Sequence, residues 1–443
     1  MSKPAKKKPS SVRHTRAVQR DRTKRPPSAP PDEHIVARLT ELVHPATLRL
    51  VSYYHQLGLR ERLLTLPVMV AFVLSLIWRQ FSGVSELVRL IRTEPLLWVP
   101  PLRKLSQQAL DQRLRTLPSG LFLRLLQGLL PVFHARWQTR QRPVPTVITW
   151  ARTHYTRLLA CDGSTLDALI RKVGLLRELP THPLAGRMTA LLDLASRLPW
   201  QLWYEPDPNA SDQRCWPQIL AALPAGALLL FDLGYTNFTM FLQLTQAQVT
   251  FITRAKVNLA YQLERVLQRR DTVHDLLVWI GRDADRQQVR LIEVLYHGGW
   301  YRYLTNELNS QSLPVEYLVA LYGQRWRIED AYAIVKRLLG LAYFWCGAQN
   351  AVEMQLWATW LLYAVLVDLT DAVAEALEQP FAKVSLEMVY RGLYFFTQAY
   401  HRGEATDVVI YLAANAKLLG ILKRPRKPAR QQQPACVACV QGP

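Results

Sequence analysis

The sequence predicts a mixed α/β protein with a helical N-terminal region. Three observations carry this. From about residue 34 to 138 apolar residues recur at three- and four-residue spacing, the period of a helix with one buried face. Between residues 155 and 256 the pattern changes to short apolar runs bounded by Gly, Pro and Asp, which read as strands. From residue 314 onward the helical period returns. Central strands followed by helices place the chain in the α/β class.

The elements follow in order. Residues 1–33 are basic, then proline-rich ("RPPSAPP"), a composition that cannot bury enough apolar surface to order itself. In the helical region, "GVSELVRLIR" and "KLSQQALDQRLRTLP" each begin near a serine able to cap a helix. The pair fits a helix-turn-helix variant on DNA or a plain helical bundle. "YTRLLACDGSTL" (155–166) is an apolar strand ending in Asp-Gly. "RMTALLDLAS" and "PWQLWYEP" are two more strands joined as a hairpin, and "DQRCWPQILAAL" is a short helix. "GALLLFDLGYTN" (226–237) is a second buried strand ending in Asp. A helix ("NFTMFLQLTQ"), a strand ("VTFITRAK") and further strand-like sequence to about 310 come next. Residues 314–340 read as one long helix stopped by Gly340, and more helices run to about 400.

The 443 residues suggest two or three domains, and 49% apolar residues suffice for packed interiors. The net charge is +21, but residues 1–25 and 417–430 together hold +15 of it. The termini therefore supply most of the attraction to a polyanion. Nucleic acid is the first candidate, because neutralising phosphates releases condensed counterions; an anionic membrane surface is the other. The longest apolar runs, "LPVMVAFVLSLIW" and "LWATWLLYAVLV", are shorter than the ~20 residues that span a bilayer and read as buried helices. No apolar leader follows the charged N-terminus. Five scattered cysteines predict no disulfide framework and a reducing compartment. Cys436 and Cys439 form a lone CxxC, and a zinc site needs a second pair.

Asp162 and Asp232 each close an apolar strand and are each followed within two residues by Gly. Singly, either is a turn or cap residue. Together, after two buried strands, they mark one edge of a sheet, where clefts form. Carboxylates without His or Cys favour hard cations such as Mg²⁺ or Mn²⁺. In "YGQRWRIEDAYAIVKRLLG" (322–340), Tyr322, Arg325, Glu329 and Lys336 share a helical arc of roughly 60°. They lie beside a core-facing stripe of Leu321, Ile328, Tyr332, Val335 and Leu339. Asp330 lies ~100° away around the helix.

The spacing Tyr-x2-Arg-x3-Glu-x6-Lys at 322, 325, 329 and 336, with "CDGS", "DLGY" and "FITRAK", resembles the cut-and-paste bacterial DDE transposases of the insertion-sequence-four type. The likeness covers about residues 150–370. It implies a ribonuclease H-like catalytic core interrupted by a β-rich insertion before the last catalytic helix, with an N-terminal all-helical domain. The expected limits are a basic disordered tail at 1–33, a helical DNA-binding domain at 34–150, core at 151–256 and 311–400, insertion at 257–310, and a basic tail at 401–443. The resemblance implies that Asp162, Asp232 and Glu329 hold two Mg²⁺ ions roughly 3.5–4 Å apart, with Mn²⁺ able to substitute. It implies that Arg325 and Lys336 grip phosphates near the cut end, that Tyr322 packs or hydrogen-bonds there, and that Trp300 holds a flipped base. A core role for Trp300 is the other reading.

The implied partners are double-stranded DNA, as element ends and target, and a second copy of the chain in a homodimer on paired ends; no membrane is implied. The implied location is cytoplasmic, with the nucleoid. Two alternatives stand beside the transposase: a related nuclease that cuts without joining, and a domesticated or decayed copy that only binds DNA. Asp167, Asp193 and Asp212 read as surface or capping residues, and Cys161 as a small buried residue.

Overall fold

A computed structural model of the chain describes residues 33–60, 62–81, 83–167, 184–296, 298–341, 344–345 and 348–423. The N-terminal tail, the CxxC at Cys436 and Cys439, and Cys346 lie outside the described residues.

The first part is helical: α1 (Glu33–Arg49), α2 (Val51–Gln56), α3 (Leu66–Trp78), α4 (Val84–Ile91), α5 (Gln107–Thr116), α6 (Gly120–Thr139) and α7 (Thr146–His154). Ser106 caps α5 by accepting the Ala109 N–H at 3.2 Å, whereas α4 starts from Gly83 without a side-chain cap. The expected helix-turn-helix pair is not joined by a tight turn. Residues 92–106 separate α4 from α5, holding Pro95, Pro100 and Pro101 and closing on a Leu96–Val99 bridge. Prolines cannot continue the helical ladder, so the connection runs through turns instead of helix.

The strands are β1 (Leu158–Asp167), β2 (Leu184–Asp193), β3 (Pro199–Glu205), β4 (Leu228–Leu230), β5 (Thr250–Arg254), β6 (Gln262–Arg270), β7 (Val273–Ile280), β8 (Gln287–Tyr296) and β9 (Gly299–Thr305). They form one mixed sheet in the order β3-β2-β1-β4-β5-β9-β8-β7-β6. β1, β2 and β3 are an antiparallel meander, and β4 and β5 run parallel to β1. β9 pairs antiparallel with β5, so the strands of residues 262–305 extend the same sheet.

Alternate residues of each strand feed two different cores, as a period of two requires. Leu158, Ala160, Leu228, Leu230 and Ile252 join the larger core. Leu159, Cys161, Leu229, Phe231 and Phe251 join the smaller one. Both faces are covered, which is why the strands read as continuous apolar runs. α8 (Trp216–Ala222) and α9 (Phe238–Gln246) cover the smaller core. The other face carries α10 (Val315–Gln324), α11 (Trp326–Ala333) and α12 (Gln349–Ala376).

α12 holds the second apolar run and is longer than that run. By length and composition it could cross a membrane, yet its apolar window is wholly buried inside the protein. It packs on α3, α5 and α6, so the N-terminal helices and the sheet share one hydrophobic interior. Buried carboxylates on α12 tie this junction: Asp368 meets Arg38 at 2.9 Å and Arg140 at 2.7 Å, and Asp371 meets Arg140 at 3.2 Å and also Arg142.

After α13 (Leu386–His401) the chain does not become a tail at residue 401. It forms α14 (Val408–Ala414) and buries Leu412, Ala416 and Ile421. Gly392 on α13 lies directly under Leu412, and the apolar closure explains why order continues to residue 423.

Candidate active site

The register of two strands sets the site. β1 and β4 pair in parallel as Leu158 with Leu228 and Ala160 with Leu230. The pairing ends there, and Asp162 and Asp232 each lie two residues beyond its last pair; they are near enough that the charge of Asp232 acts on the Asp162 carboxyl. Both acids keep the parity of Ala160 and Leu230 and so turn toward the face that carries α10–α12. Asp162 does not end its strand. β1 continues to Asp167, and Asp162 pairs with Ala190 of β2. Only the parallel pairing stops there, because β4 is three residues long. Beyond β4, Asp232 caps a short 3₁₀ turn, its Oδ1 accepting the Gly234 N–H at 2.6 Å. Asp162 Oδ1 accepts the Gly163 N–H at 2.9 Å.

α11 brings the third acid. The Tyr332 hydroxyl donates to the Asp162 carbonyl at 2.6 Å, and Lys336 Nζ donates to Ser164 Oγ at 2.7 Å and to the Thr165 carbonyl at 2.5 Å. These bonds clamp α11 and the turn after it onto β1. The expected single helix over 314–340 is divided. α10 ends at Gln324, and the chain tightens at Arg325, whose N–H bonds the Tyr322 carbonyl at 3.0 Å. After α11 a π-helical turn runs from Ile334 to Leu338. Such turns hold more residues than an α-turn, so the 100° arc no longer fixes the direction of Lys336. The apolar stripe itself is buried throughout.

Arg325 is the electrostatic centre. It is 5% exposed and donates from Nη2 to Glu329 Oε1 at 2.9 Å. Burial opposes its charge, but Tyr322, Asp162, Glu329 and Asp232 outweigh that and raise its pKa above the ordinary arginine value. One guanidinium thus feels the charge of all three acids and hydrogen-bonds one of them, Glu329. Its Nε and Nη1 are buried without a hydrogen-bond partner among the described residues. The guanidinium lies 4.9 Å from the Trp326 ring centre and 5.9 Å from that of Tyr322. Tyr322 is buried edge-on to Tyr303 at 5.3 Å; burial pushes its hydroxyl up to about 12, against the pull of Arg325 and Arg254. Burial pushes the Asp162 carboxyl up to about 7; Arg325 and the Gly163 N–H oppose this, and Asp232 and Glu329 add to it.

Sequence reasoning missed Asp212. Its carboxylate is paired with Arg187 of β2 and reaches over both glycines that follow the paired acids. A Cβ at Gly163 would meet Asp212 Oδ1 far inside contact distance, and one at Gly234 would lie 3.3 Å from Oδ2. Glycine at 163 is therefore the condition for this approach. Gly163→Ala is expected to displace Asp212 from Arg187 and cost about 1–2 kcal/mol, the usual penalty of overpacking, measurable by urea denaturation. Arg254 was also missed, although "FITRAK" was the signal. It ends β5 beside the site and lies 4.7 Å from the Tyr301 ring centre and 5.4 Å from that of Tyr303.

Trp300 stands apart from the acids. It is 42% exposed on β9 and stacks on His274 at 4.4 Å. It lies three residues before Tyr303, the partner of Arg254, and so at the same end of the sheet as Asp232. Asp193 is a turn cap: its Oδ1 accepts Ala195 N–H, Ser196 N–H and Ser196 Oγ–H. The side chain of Asp167 lies outside the described residues.

The donor chemistry at the acids is hard oxygen, which fits Mg²⁺ or Mn²⁺. Among the described residues, however, no group of three or more His, Cys, Asp or Glu side chains is gathered to hold an ion. Glu329 is drawn to Arg325 instead.

Residues 185–365 match the family described as "Transposase DDE domain". The matched segment includes Asp232, Trp300, Tyr322, Arg325, Glu329 and Lys336 and begins after Asp162. A candidate transposase, y4zB, of Sinorhizobium fredii (strain NBRC 101917 / NGR234) is 29% identical over 173 residues, covering 36% of this chain and 47% of that protein. The chain thus spans about half the length of the relative it matches. Both similarities support a DDE transposase.

Proposed function

We propose that the protein is a DNA transposase of the insertion-sequence-four type. On this reading it cuts phosphodiesters at an element's terminal inverted repeats and joins the freed ends to target DNA. One observation carries the reading first: Asp162 and Asp232 follow the last pair of two parallel strands, and the charges of Asp232, Glu329 and Arg325 all act on the Asp162 carboxyl. The strand order β3-β2-β1-β4-β5, an antiparallel meander continued by two parallel strands, supports a ribonuclease H-like core.

The residues would divide the work as follows. Asp162, Asp232 and Glu329 would hold two divalent ions, which when bound supply positive charge at the attacking and leaving oxygens. Arg325, with two unpaired donors, receives phosphate oxygens in a planar fork. Tyr322 and Trp326 fix the plane of that fork. Phosphate contact at Arg325 loosens its hold on Glu329 and frees that carboxylate to join the two aspartates. Lys336, anchored on β1 next to Asp162, adds a point charge beside the scissile group. Water attacks phosphorus and breaks its bond to the 3′-oxygen, which leaves as a 3′-hydroxyl opposite a 5′-phosphate; that hydroxyl then loses its proton and attacks a target phosphodiester, whose own 3′-oxygen leaves as a hydroxyl. No covalent enzyme intermediate is required, and positioning and charge supply the rate. Exposed Trp300, at the same sheet end, suits stacking on an unpaired base. A homodimer would pair the two ends.

The test is cutting and joining of DNA that carries the inverted repeats flanking the coding region, in the presence of Mg²⁺. Asp232→Ala and Glu329→Ala are expected to lose cutting by roughly a thousandfold or more while retaining DNA binding. Full cutting by either variant would remove that residue from the site.

A further inference from the structure

We propose that the cavity between α6, α7 and the start of β1 binds a phosphate oxyanion. The cavity measures about 230 Å³ and is walled by His134 and Trp137 of α6, Arg152 of α7, Tyr155 and Arg157 ahead of β1, and Asp193. It opens at the other end of β1 from the carboxylates: Leu158 lines it, and Asp162 lies four residues on, about 13 Å along an extended strand.

Its walls are short of acceptors. Arg152 and Arg157 have no carboxylate partner among the described residues. Each guanidinium carbon sits over an indole, that of Arg152 at 4.7 Å from the Trp137 ring centre and that of Arg157 at 4.9 Å from the Trp200 ring centre. Stacking fixes a guanidinium without using its in-plane N–H donors. Among the described residues, Trp137 Nε1, a donor, and His134 Nε2, whose role depends on the tautomer, are both buried without a hydrogen-bond partner. An unpaired buried donor is costly, and an oxyanion bound here would relieve it. Burial lowers the His134 pKa and Asp193 opposes this. The one acid in the wall, Asp193, already accepts three hydrogen bonds at Oδ1. The volume is below the ~300–1,000 Å³ of pockets that enclose a drug-sized ligand, so the site takes one phosphate group and leaves sugar and base outside. That phosphate is either a backbone phosphate of DNA or a free anion.

The experiment uses the full chain, wild type and the Arg152→Ala/Arg157→Ala double variant, with folding checked by circular dichroism. Inorganic phosphate is titrated at constant ionic strength against chloride while thermal unfolding is followed; in parallel, duplex DNA affinity is measured across a salt series. Phosphate that raises the wild-type melting temperature but not that of the variant supports the site. A several-fold loss of DNA affinity in the variant, with a log–log salt slope shallower by about one, supports it with DNA as the source. Unchanged DNA binding together with phosphate stabilisation assigns a free anion. No stabilisation over chloride together with an unchanged salt slope overturns the proposal. Should the double variant not fold, Arg157→Gln replaces it under the same criteria. None of these readouts involves cutting, so failure here leaves the transposase reading untouched, and the reverse.

Discussion

Asp162→Asn is expected to yield a protein that is more stable at pH 8 and unable to cut DNA. The Asp162 carboxyl, pushed up to about 7 from an ordinary 3.8, keeps its proton in the folded chain at pH values where the unfolded chain has released it. Its contribution to stability is therefore fully present below about pH 4 and is lost as pH rises through 7. Above that, the fold carries a buried charge that asparagine would remove. Each pKa unit is worth about 1.4 kcal/mol, so the variant should gain on the order of 4 kcal/mol at pH 8 and little at pH 4. Denaturant titration at both pH values measures the difference. An equal gain at both would show that the carboxyl is not titrating in this window. The same substitution removes one carboxylate oxygen from the proposed metal site, and cutting should fall roughly a thousandfold. Stability and activity are opposed at this residue, as expected where charge is held ready for chemistry.

Asp275→Ala is expected to cost about 3–5 kcal/mol, because it strands a fully buried arginine. Arg290 is 0% exposed, and its two nitrogens meet the two oxygens of Asp275 at 2.9 and 2.8 Å. Its third nitrogen donates to the Leu313 carbonyl at 2.9 Å, immediately ahead of α10. The pair thus ties β7 and β8 to the loop that launches the helix bearing Tyr322, which leads directly into Arg325. Thermal unfolding should register the loss. An Asp275→Leu/Arg290→Met double variant should recover most of it, since a well-packed apolar pair is often no worse than a buried ion pair. If the double variant is as unstable as the single one, the cost lies in the Leu313 contact and not in the stranded charge.

Much of the candidate site was written locally. The apolar runs before Asp162 and Asp232 are strands because both of their faces are covered, and the stripe Leu321, Ile328, Tyr332, Val335, Leu339 is buried as its spacing required. The Arg325–Glu329 pair spans one helical turn and is legible as i, i+4. Asp212 was not legible: its relation to Gly163 exists only after the β2–β3 hairpin returns it to β1. Order beyond residue 400 is only partly local: "DVVIYLAANAKLLGIL" (407–422) is apolar, but its seat on α13, where Gly392 leaves room for Leu412 and Ile421, exists only in the folded chain.

By itself the sequence determined the alternation of the strands, the buried helix faces and the identity of the acids and cations. These follow from the side-chain period and the cost of leaving apolar surface in water. Only the tertiary structure decided that the strands of residues 262–305 extend the same sheet, that α12 unites the N-terminal helices with it, and that Arg325 stands among three carboxylates. Those outcomes depend on strand register and packing between segments far apart in the chain, and no local pattern encodes them.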